Sequence, residues 1–397
     1  MFILFNMVSL NLYPVDISTW YIVLISLTTL SIGYLIILFL QPDVYFAEYN
    51  RSPSAIPIEY IGKILLILSV ISLIGNILFL QAVASHTGSI GEYFSNPIKA
   101  RILVTKLERE SIRNWDPILA FTNYVASLNL IAVLLGGYYL VFGKKYKILA
   151  FFPVLNSVIF SIITFQRYAF IQVTVTWMFC VVYSLYHQEK NIRKIQGIKI
   201  FLYIFGSSIL AFVFLLGIVL ARVDYGTGDV DLVGTSGWAI KSITTYIVAD
   251  VVALDKFLQR TDTYLYGLSM FRSFVKWFIR IGVYDASLGL TIYNDFARVN
   301  SKTILNTYTY IRPFYEDFGL YGLLIFNFLF GAIGSFSFHS VLKKFSFLKL
   351  YIASLFFFGY FLSFFNFTLL NMTMYIFLGI IVFLLEKNMY SRVAIKD

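Results

Sequence analysis

Long apolar blocks of membrane length follow one another along this chain, joined by short polar links, and the pattern breaks once. Nine blocks read as spanning helices, at 19–40, 64–85, 117–142, 148–166, 168–186, 200–221, 319–341, 349–366 and 369–386. About 20 consecutive apolar residues suffice to cross a hydrocarbon core. The break is 222–318, a mixed and charged stretch between the sixth and seventh blocks. The pattern therefore predicts three regions: 1–221 with six spans, 222–318 as one large loop, and 319–397 with three spans and a tail. The expected fold class is all-α, a polytopic transmembrane helical bundle of about nine to eleven spans whose loop contains interfacial amphipathic helices.

Two helices are predicted inside the loop. Thr235–Arg260 places Ile243, Tyr246, Ile247, Leu254, Phe257 and Leu258 at near-helical spacing, which predicts an amphipathic helix lying on or dipping into the membrane interface. The segment FRSFVKWFIRIG puts Arg272, Lys276 and Arg280 at i, i+4 and i+8, one cationic stripe on a helix that is otherwise aromatic and aliphatic.

Composition narrows the class. The 397 residues are 59% hydrophobic and only 13% charged, about half the charged share of soluble domains, and the mean hydropathy is +0.78. One soluble core could not hide so much apolar surface. The single cysteine, Cys180, falls within a block, so no disulfide framework is available. The opening MFILFNMVSLNLYPVD has no basic start and no small-residue cleavage site, and is expected to belong to the mature protein. The sequence shows no Walker A motif, no glycine fingerprint for a dinucleotide, no His/Cys cluster with metal spacing and no internal repeat. No cofactor, resident metal or nucleic-acid partner is expected.

Charge placement gives an orientation. The links GKKYK, HQEKNIRKIQGIK and LKKFSFLK are short and basic, and Lys and Arg accumulate on the cytoplasmic side. With those links inside, the inner segments and tail hold 15 of the 31 Lys and Arg, the short outer segments 6 and the long loop 10. The large loop is then outside and the C-terminus inside. Five cations in the outer segment 86–116 run against the rule.

Several residues are candidates for chemistry. The stripe of Arg272, Lys276 and Arg280 reads either as an anchor to lipid head groups or as a clamp for the pyrophosphate of a lipid-linked substrate. Guanidinium forks can grip phosphate oxygens and stabilise a departing pyrophosphate without a metal. Arg167 sits in the tight outer turn QRY, where a boundary arginine either snorkels or acts on substrate. Arg222, directly after the sixth block, reads as an interfacial anchor or a substrate-binding residue. Asp229-Val230-Asp231 has the Asp-x-Asp pattern of metal-dependent transferases, but in a Gly-rich stretch that reads as linker. The loop contains no histidine, so a base there must come from its carboxylates, Asp250, Asp255, Asp262, Asp285, Asp295, Glu316 and Asp317. Most of these are expected to be solvated or paired with the loop's cations.

The loop closes on NTYTYIRPFYEDFGLYG, leading straight into the seventh block. Asn306, Tyr308, Thr309 and Tyr315 suit sugar recognition by stacking and directed hydrogen bonds, while an aromatic belt over a helix start is the alternative. Gly319 and Gly322 would let backbones approach closely.

This closing string, the QRY turn ahead of a span and the single dominant outer loop resemble the O-antigen and capsular polysaccharide repeat-unit polymerases of bacteria. The resemblance covers nearly the whole chain as layout but only about twenty residues as motif. It implies a protein of the bacterial inner membrane with a periplasmic loop. It implies transfer of a growing glycan from undecaprenyl pyrophosphate to the non-reducing end of a fresh lipid-linked repeat unit, with neither metal nor nucleotide sugar. Its partners would be the lipid-linked oligosaccharide, membrane lipids, a chain-length regulator and a flippase. The likeness carries over to Arg167, Asn306, Tyr308, Thr309, Asp317, Gly319 and Gly322; a catalytic role is expected for Arg167, and for Asp317 as base. The assignment of Arg272, Lys276 and Arg280 rests on spacing alone. Three rivals remain: an O-antigen ligase, for which the loop lacks a histidine; a transferase using polyprenyl-phosphate sugars, whose acidic pair belongs in the first outer loop; and a flippase or other transporter, which calls for charges along the spans.

Overall fold

The structure is a computed structural model. It describes residues 11–40, 58–110, 116–143, 145–166, 168–187, 206, 248–260, 264–285, 297–301, 304–305, 309–343, 345–363 and 371–394. Its helices are α1 (Ile17–Leu40), α2 (Ile58–Ala84), α3 (Ile90–Ser95), α4 (Pro97–Glu110), α5 (Pro117–Ser127), α6 (Asn129–Phe142), α7 (Phe152–Thr164) and α8 (Tyr168–Tyr186). They continue with α9 (248–258), then α10 (Arg272–Arg280), α11 (Ile311–Lys343), α12 (Phe347–Phe361) and α13 (Met372–Ala394). One antiparallel two-stranded ladder, Ala297–Arg298 with Ile304–Leu305, lies between α10 and α11.

Among the described residues seven helical segments are long and apolar enough to cross a membrane, and Phe347–Phe361 is a shorter apolar helix. The protein is an all-α, multi-pass membrane protein. These eight segments coincide with eight of the nine expected blocks; the sixth, 200–221, lies outside the described residues apart from Gly206.

The chain divides into two compact units. One comprises 1–43, 232–337 and 356–375; the other comprises 44–231, 338–355 and 376–397. In the second unit, helices are tied by polar side chains reaching carbonyls on neighbouring helices. The Asn76 amide donates to the Asn156 carbonyl and the Asn156 amide to the Ser69 carbonyl; Ser72 donates to Ala126, Asn129 to Pro153 and Trp177 to Ala150. Inside a bilayer such groups have no water to turn to, so each bond fixes one helix against another. Glu386 caps α12: its carboxylate accepts from the Phe347 and Leu348 N–H groups and from the Ser346 hydroxyl.

The first unit is built on close contact between α1 and α11. A Cβ on Gly33 would lie 2.2 Å from the Phe328 carbonyl oxygen, and one on Gly331 2.1 Å from that of Leu30. Only glycine lets these backbones touch. Beside this crossing Ser26, wholly buried, accepts from the Asn327 amide at 2.7 Å and shares a 2.9 Å hydrogen bond with the Tyr310 hydroxyl.

The loop helix expected at Thr235–Arg260 differs from the prediction. Residues 235–247 lie outside the described residues, and α9 is a core helix rather than an interfacial one: Val248, Ala249, Val252, Ala253 and Leu254 are fully buried. The cause is its small residues. Ala249 and Ala253 extend its apolar surface, and the buried Asp255 is satisfied by the Asp16 N–H, the Thr19 hydroxyl and the Gln259 amide.

Candidate functional site

The closing string EDFG is a hinge in the backbone. α11 does not run continuously from Ile311; Gly319 has φ 61° and ψ −149° and breaks it into a short helix and a long one. Such angles suit glycine alone. The part after the break, Leu320–Lys343, is ~36 Å long at 1.5 Å per residue, enough to cross a bilayer. Gly322 serves the same fold: a Cβ there would lie 2.7 Å from the Phe314 carbonyl oxygen across the break.

Breaking a helix releases carbonyls from its ladder. Here the carbonyl oxygens of Glu316 and Asp317 accept from the N–H groups of Leu265 and Tyr266, at 3.0 and 3.1 Å. The segment 264–271 is thereby laid across the break. It turns sharply, with positive φ at Tyr266 and Gly267. The turn delivers the Ser269 N–H to one oxygen of the Asp317 carboxylate at 2.9 Å and the Met270 N–H to the other at 2.7 Å. Ser269 also donates its hydroxyl to Glu316 at 2.7 Å. The second Glu316 oxygen accepts from the Arg312 guanidinium at 3.1 Å, and Arg312 lies over the Phe257 ring at 4.5 Å. Asp317 is fully buried and Glu316 nearly so.

Two residues after Met270 begins α10, the cationic helix. Its facing bears on the two readings of the stripe. Ser273, Val275 and Ile279 are buried, whereas Phe271, Trp277, Phe278 and Ile281 are exposed. On a 100° helical wheel Arg272, Lys276 and Arg280 fall between Ser273 on one side and Val275 and Ile279 on the other. All three cations are half-buried. The stripe thus lies along the side of α10 turned to the protein, and aromatic rings form the side turned away. A head-group anchor would be built with its cations on the exposed side. Ser273 further fixes the helix by accepting from the Thr373 N–H at 3.4 Å.

Of the carboxylates expected to be solvated or paired with cations, Asp285 is exposed, and Asp262 and Asp295 lie outside the described residues. Asp250, Asp255, Glu316 and Asp317 are all buried. Asp255 accepts from the Asp16 N–H at 2.9 Å, the Thr19 hydroxyl at 2.8 Å and the Gln259 amide at 2.8 Å, tying the start of α1 to α9. Both Asp317 oxygens are occupied by backbone donors, which is the geometry of a clasp that positions a loop. Glu316 has the expected cation partner in Arg312 at 3.1 Å, and Asp255 has one in Lys256 at 3.9 Å.

Of the other sequence candidates, Thr309 is buried and its hydroxyl has no hydrogen-bond partner among the described residues, while Tyr315 is half-buried. Arg167, Arg222, Asn306, Tyr308, Asp229 and Asp231 lie outside the described residues. The structure brings together Asp317, Gly319, Gly322 and the approach to α10. Tyr264, Ser269, Met270 and Arg312 belong to the same assembly and were not singled out in the sequence. The Tyr-Gly pair at 266–267 was a turn signal, but nothing in the sequence pointed that turn at residue 317.

No family model, curated protein or solved structure matches the chain.

Proposed function

We propose that this protein is a repeat-unit polymerase of the inner membrane that extends an O-antigen or capsular glycan on undecaprenyl pyrophosphate. One observation carries the reading: a cationic helix presents Arg272, Lys276 and Arg280 on its protein-facing side and is held by the Asp317 clasp next to a membrane-length helix. That arrangement suits a pyrophosphate whose lipid tail lies in the bilayer.

In the proposed reaction the acceptor sugar's hydroxyl attacks the anomeric carbon of the donor glycan. A new C–O bond forms and the C–O bond to pyrophosphate breaks. Undecaprenyl pyrophosphate leaves, and the hydroxyl proton passes to a base. The cations of α10 take up the charge developing on the leaving group. Arg167 is a further candidate for that charge, and Arg222, Asn306, Tyr308, Thr309 and Tyr315 for substrate binding. Asp317 accepts one backbone N–H on each carboxylate oxygen, which supports a positioning role for it in this reading. A chain-length regulator and a flippase are the protein partners this reading entails.

The test is reconstitution. Purified protein in lipid nanodiscs is incubated with lipid-linked oligosaccharide extracted from cells lacking this gene, in the presence of chelator. A ladder of products and free undecaprenyl pyrophosphate are expected. Products that require a divalent ion, or transfer to a lipid A core in place of a ladder, would replace this reading with one of its rivals.

A further inference from the structure

The side of α10 opposite its cations is exposed, and the elements that hold the helix indicate what covers it. We infer that this aromatic side, Phe271, Phe274, Trp277 and Phe278, is seated in the membrane at the level where Leu320 and Met372 begin their spans, between lipid head groups and acyl chains. The inference is separate from the pyrophosphate clamp and stands whatever reaction the protein performs.

On a 100° helical wheel the four aromatic residues fall within one arc of about 120°. Phe274 is half-buried, and Phe271, Trp277 and Phe278 are 39%, 45% and 42% exposed. No polar or charged residue of 271–281 interrupts the arc. A contiguous apolar patch left outside a fold marks a contact with protein or membrane. With nine residues, α10 is ~14 Å long, about half of a hydrocarbon core, so it cannot cross and must lie along a surface.

Two contacts at the N-terminal end of α10 fix its height. Ser269 and Met270, just ahead of the helix, donate to Asp317, two residues before the break that starts the membrane-length helix Leu320–Lys343. Ser273, in the first turn of α10, accepts from Thr373 in the first turn of α13. A single apolar helix, α12, separates α11 from α13, so both enter the bilayer from the same side. α10 is therefore pinned where two spans meet the membrane surface. Leu320 and Tyr321, 44% and 79% exposed, stand in the first turn after the break, and a tyrosine at a span entry belongs to the interfacial belt. The aromatic side of α10 lies at the level of that belt.

The chemistry of the arc favours lipid over a protein partner. A protein interface surrounds its apolar centre with a polar rim, whereas on α10 the arc is bordered by the buried Ser273 on one side and the buried Val275 on the other. Tryptophan suits the lipid boundary because one edge of the indole stays wet while the rest is dehydrated. The Arg280 guanidinium lies 5.9 Å from the centre of the Trp277 ring, so charge and ring stand side by side at the edge of the arc, as they do where a cation snorkels. The seating is shallow: interfacial helices bury their apolar side by about 5–10 Å. Ile281, past the last turn and away from the pinned end, stays at head-group height, open to water-borne reagents.

The experiment is spin-label EPR on the full chain in phospholipid nanodiscs. Cys180 is fully buried, so a nitroxide is attached at Trp277→Cys, at Phe278→Cys and, for reference, at Lys145→Cys, an exposed position in the link GKKYK. Collisions with oxygen, which concentrates in hydrocarbon, are compared with collisions with a water-soluble nickel chelate. Oxygen collisions are expected to dominate at 277 and 278, and nickel collisions at 145. Nickel dominance at 277 and 278 overturns the inference. Weak collision with both reagents overturns it too and gives the face to a protein segment, and spin–spin broadening between labelled chains gives it to a second copy. A second measurement keeps an aromatic ring in place and needs no cysteine variant. The emission lost from wild type to Trp277→Phe isolates Trp277, and it should be quenched by brominated phosphatidylcholine more than by aqueous iodide. Stronger quenching by iodide overturns the inference.

Discussion

A Cβ atom placed on Gly319 would sit 2.7 Å from the Tyr264 hydroxyl oxygen, so Tyr264 fills the space that a glycine leaves open at the break in α11. Gly319→Ala meets two penalties, a backbone conformation costing about 1–3 kcal/mol for a side-chain-bearing residue and the contact with Tyr264. Tyr264→Ala removes the second penalty only. The double variant is therefore expected to be more stable than the sum of the two single losses, and still less stable than wild type. Thermal unfolding of the four proteins in one detergent checks this. Strict additivity would mean that the ring moves aside at no cost.

Asp317→Asn replaces one acceptor oxygen with an amide that faces a backbone N–H. An unsatisfied buried donor costs about 1–3 kcal/mol, and here the loss falls on the turn ahead of α10. Amide hydrogen exchange across 264–280 is expected to rise in the variant while the α2–α8 segments stay protected. Any fall in glycan polymerisation should track that loosening. Lost activity with unchanged exchange in 264–280 would instead make Asp317 a participant in the chemistry.

The spans were legible in the sequence because each needs only its own composition. Length and apolarity alone marked the seven described helices long enough to cross, and the shorter apolar helix Phe347–Phe361, with no knowledge of their neighbours. α9 was misread for a related reason: large apolar residues were counted and Ala249 and Ala253 were not, although small residues let a helix be packed on every side. The hydrogen-bond partners of Asp317 were not legible at all. Its donors, Ser269 and Met270, lie 48 and 47 positions away, and no local pattern records such a pairing. Gly322 does lie against backbone, the Phe314 carbonyl, but the close neighbour of Gly319 is the Tyr264 side chain, and the sequence could not say that Gly319 breaks the helix. The facing of Arg272, Lys276 and Arg280 needed the burial of Ser273, Val275 and Ile279, which the spacing of the cations alone does not contain.

Charge at Arg272 and Arg280 separates clamp from anchor. Arg→Lys at both keeps the charge and removes the planar fork; Arg→Glu reverses the charge toward a pyrophosphate. Product formation in the reconstituted reaction is expected to fall moderately, about tenfold, with lysine, and to vanish with glutamate. Equal tolerance of both changes would return α10 to simple membrane attachment.

On the proposed function, Arg167→Ala is expected to abolish polymer while the protein still accumulates in the membrane, because an ionisable residue at a membrane boundary is a functional candidate by default. Polymer length on gels and protein level by immunoblot are read together. Normal chain lengths at normal level would remove Arg167 from the site.

Orientation is open to a direct measurement because Cys180 is fully buried. A membrane-impermeant maleimide should leave the wild-type chain unlabelled. Ile281→Cys places a thiol at a position that is 65% exposed, just after α10, and Lys145→Cys places one at an exposed position in the link GKKYK. If the basic links face the cytoplasm, intact spheroplasts label Ile281→Cys, and Lys145→Cys labels only after permeabilisation. The reverse pattern would put α10 in the cytosol. A glycan displayed outside the membrane could not then reach Arg272, Lys276 and Arg280, and the polymerase reading would fall with its pyrophosphate clamp.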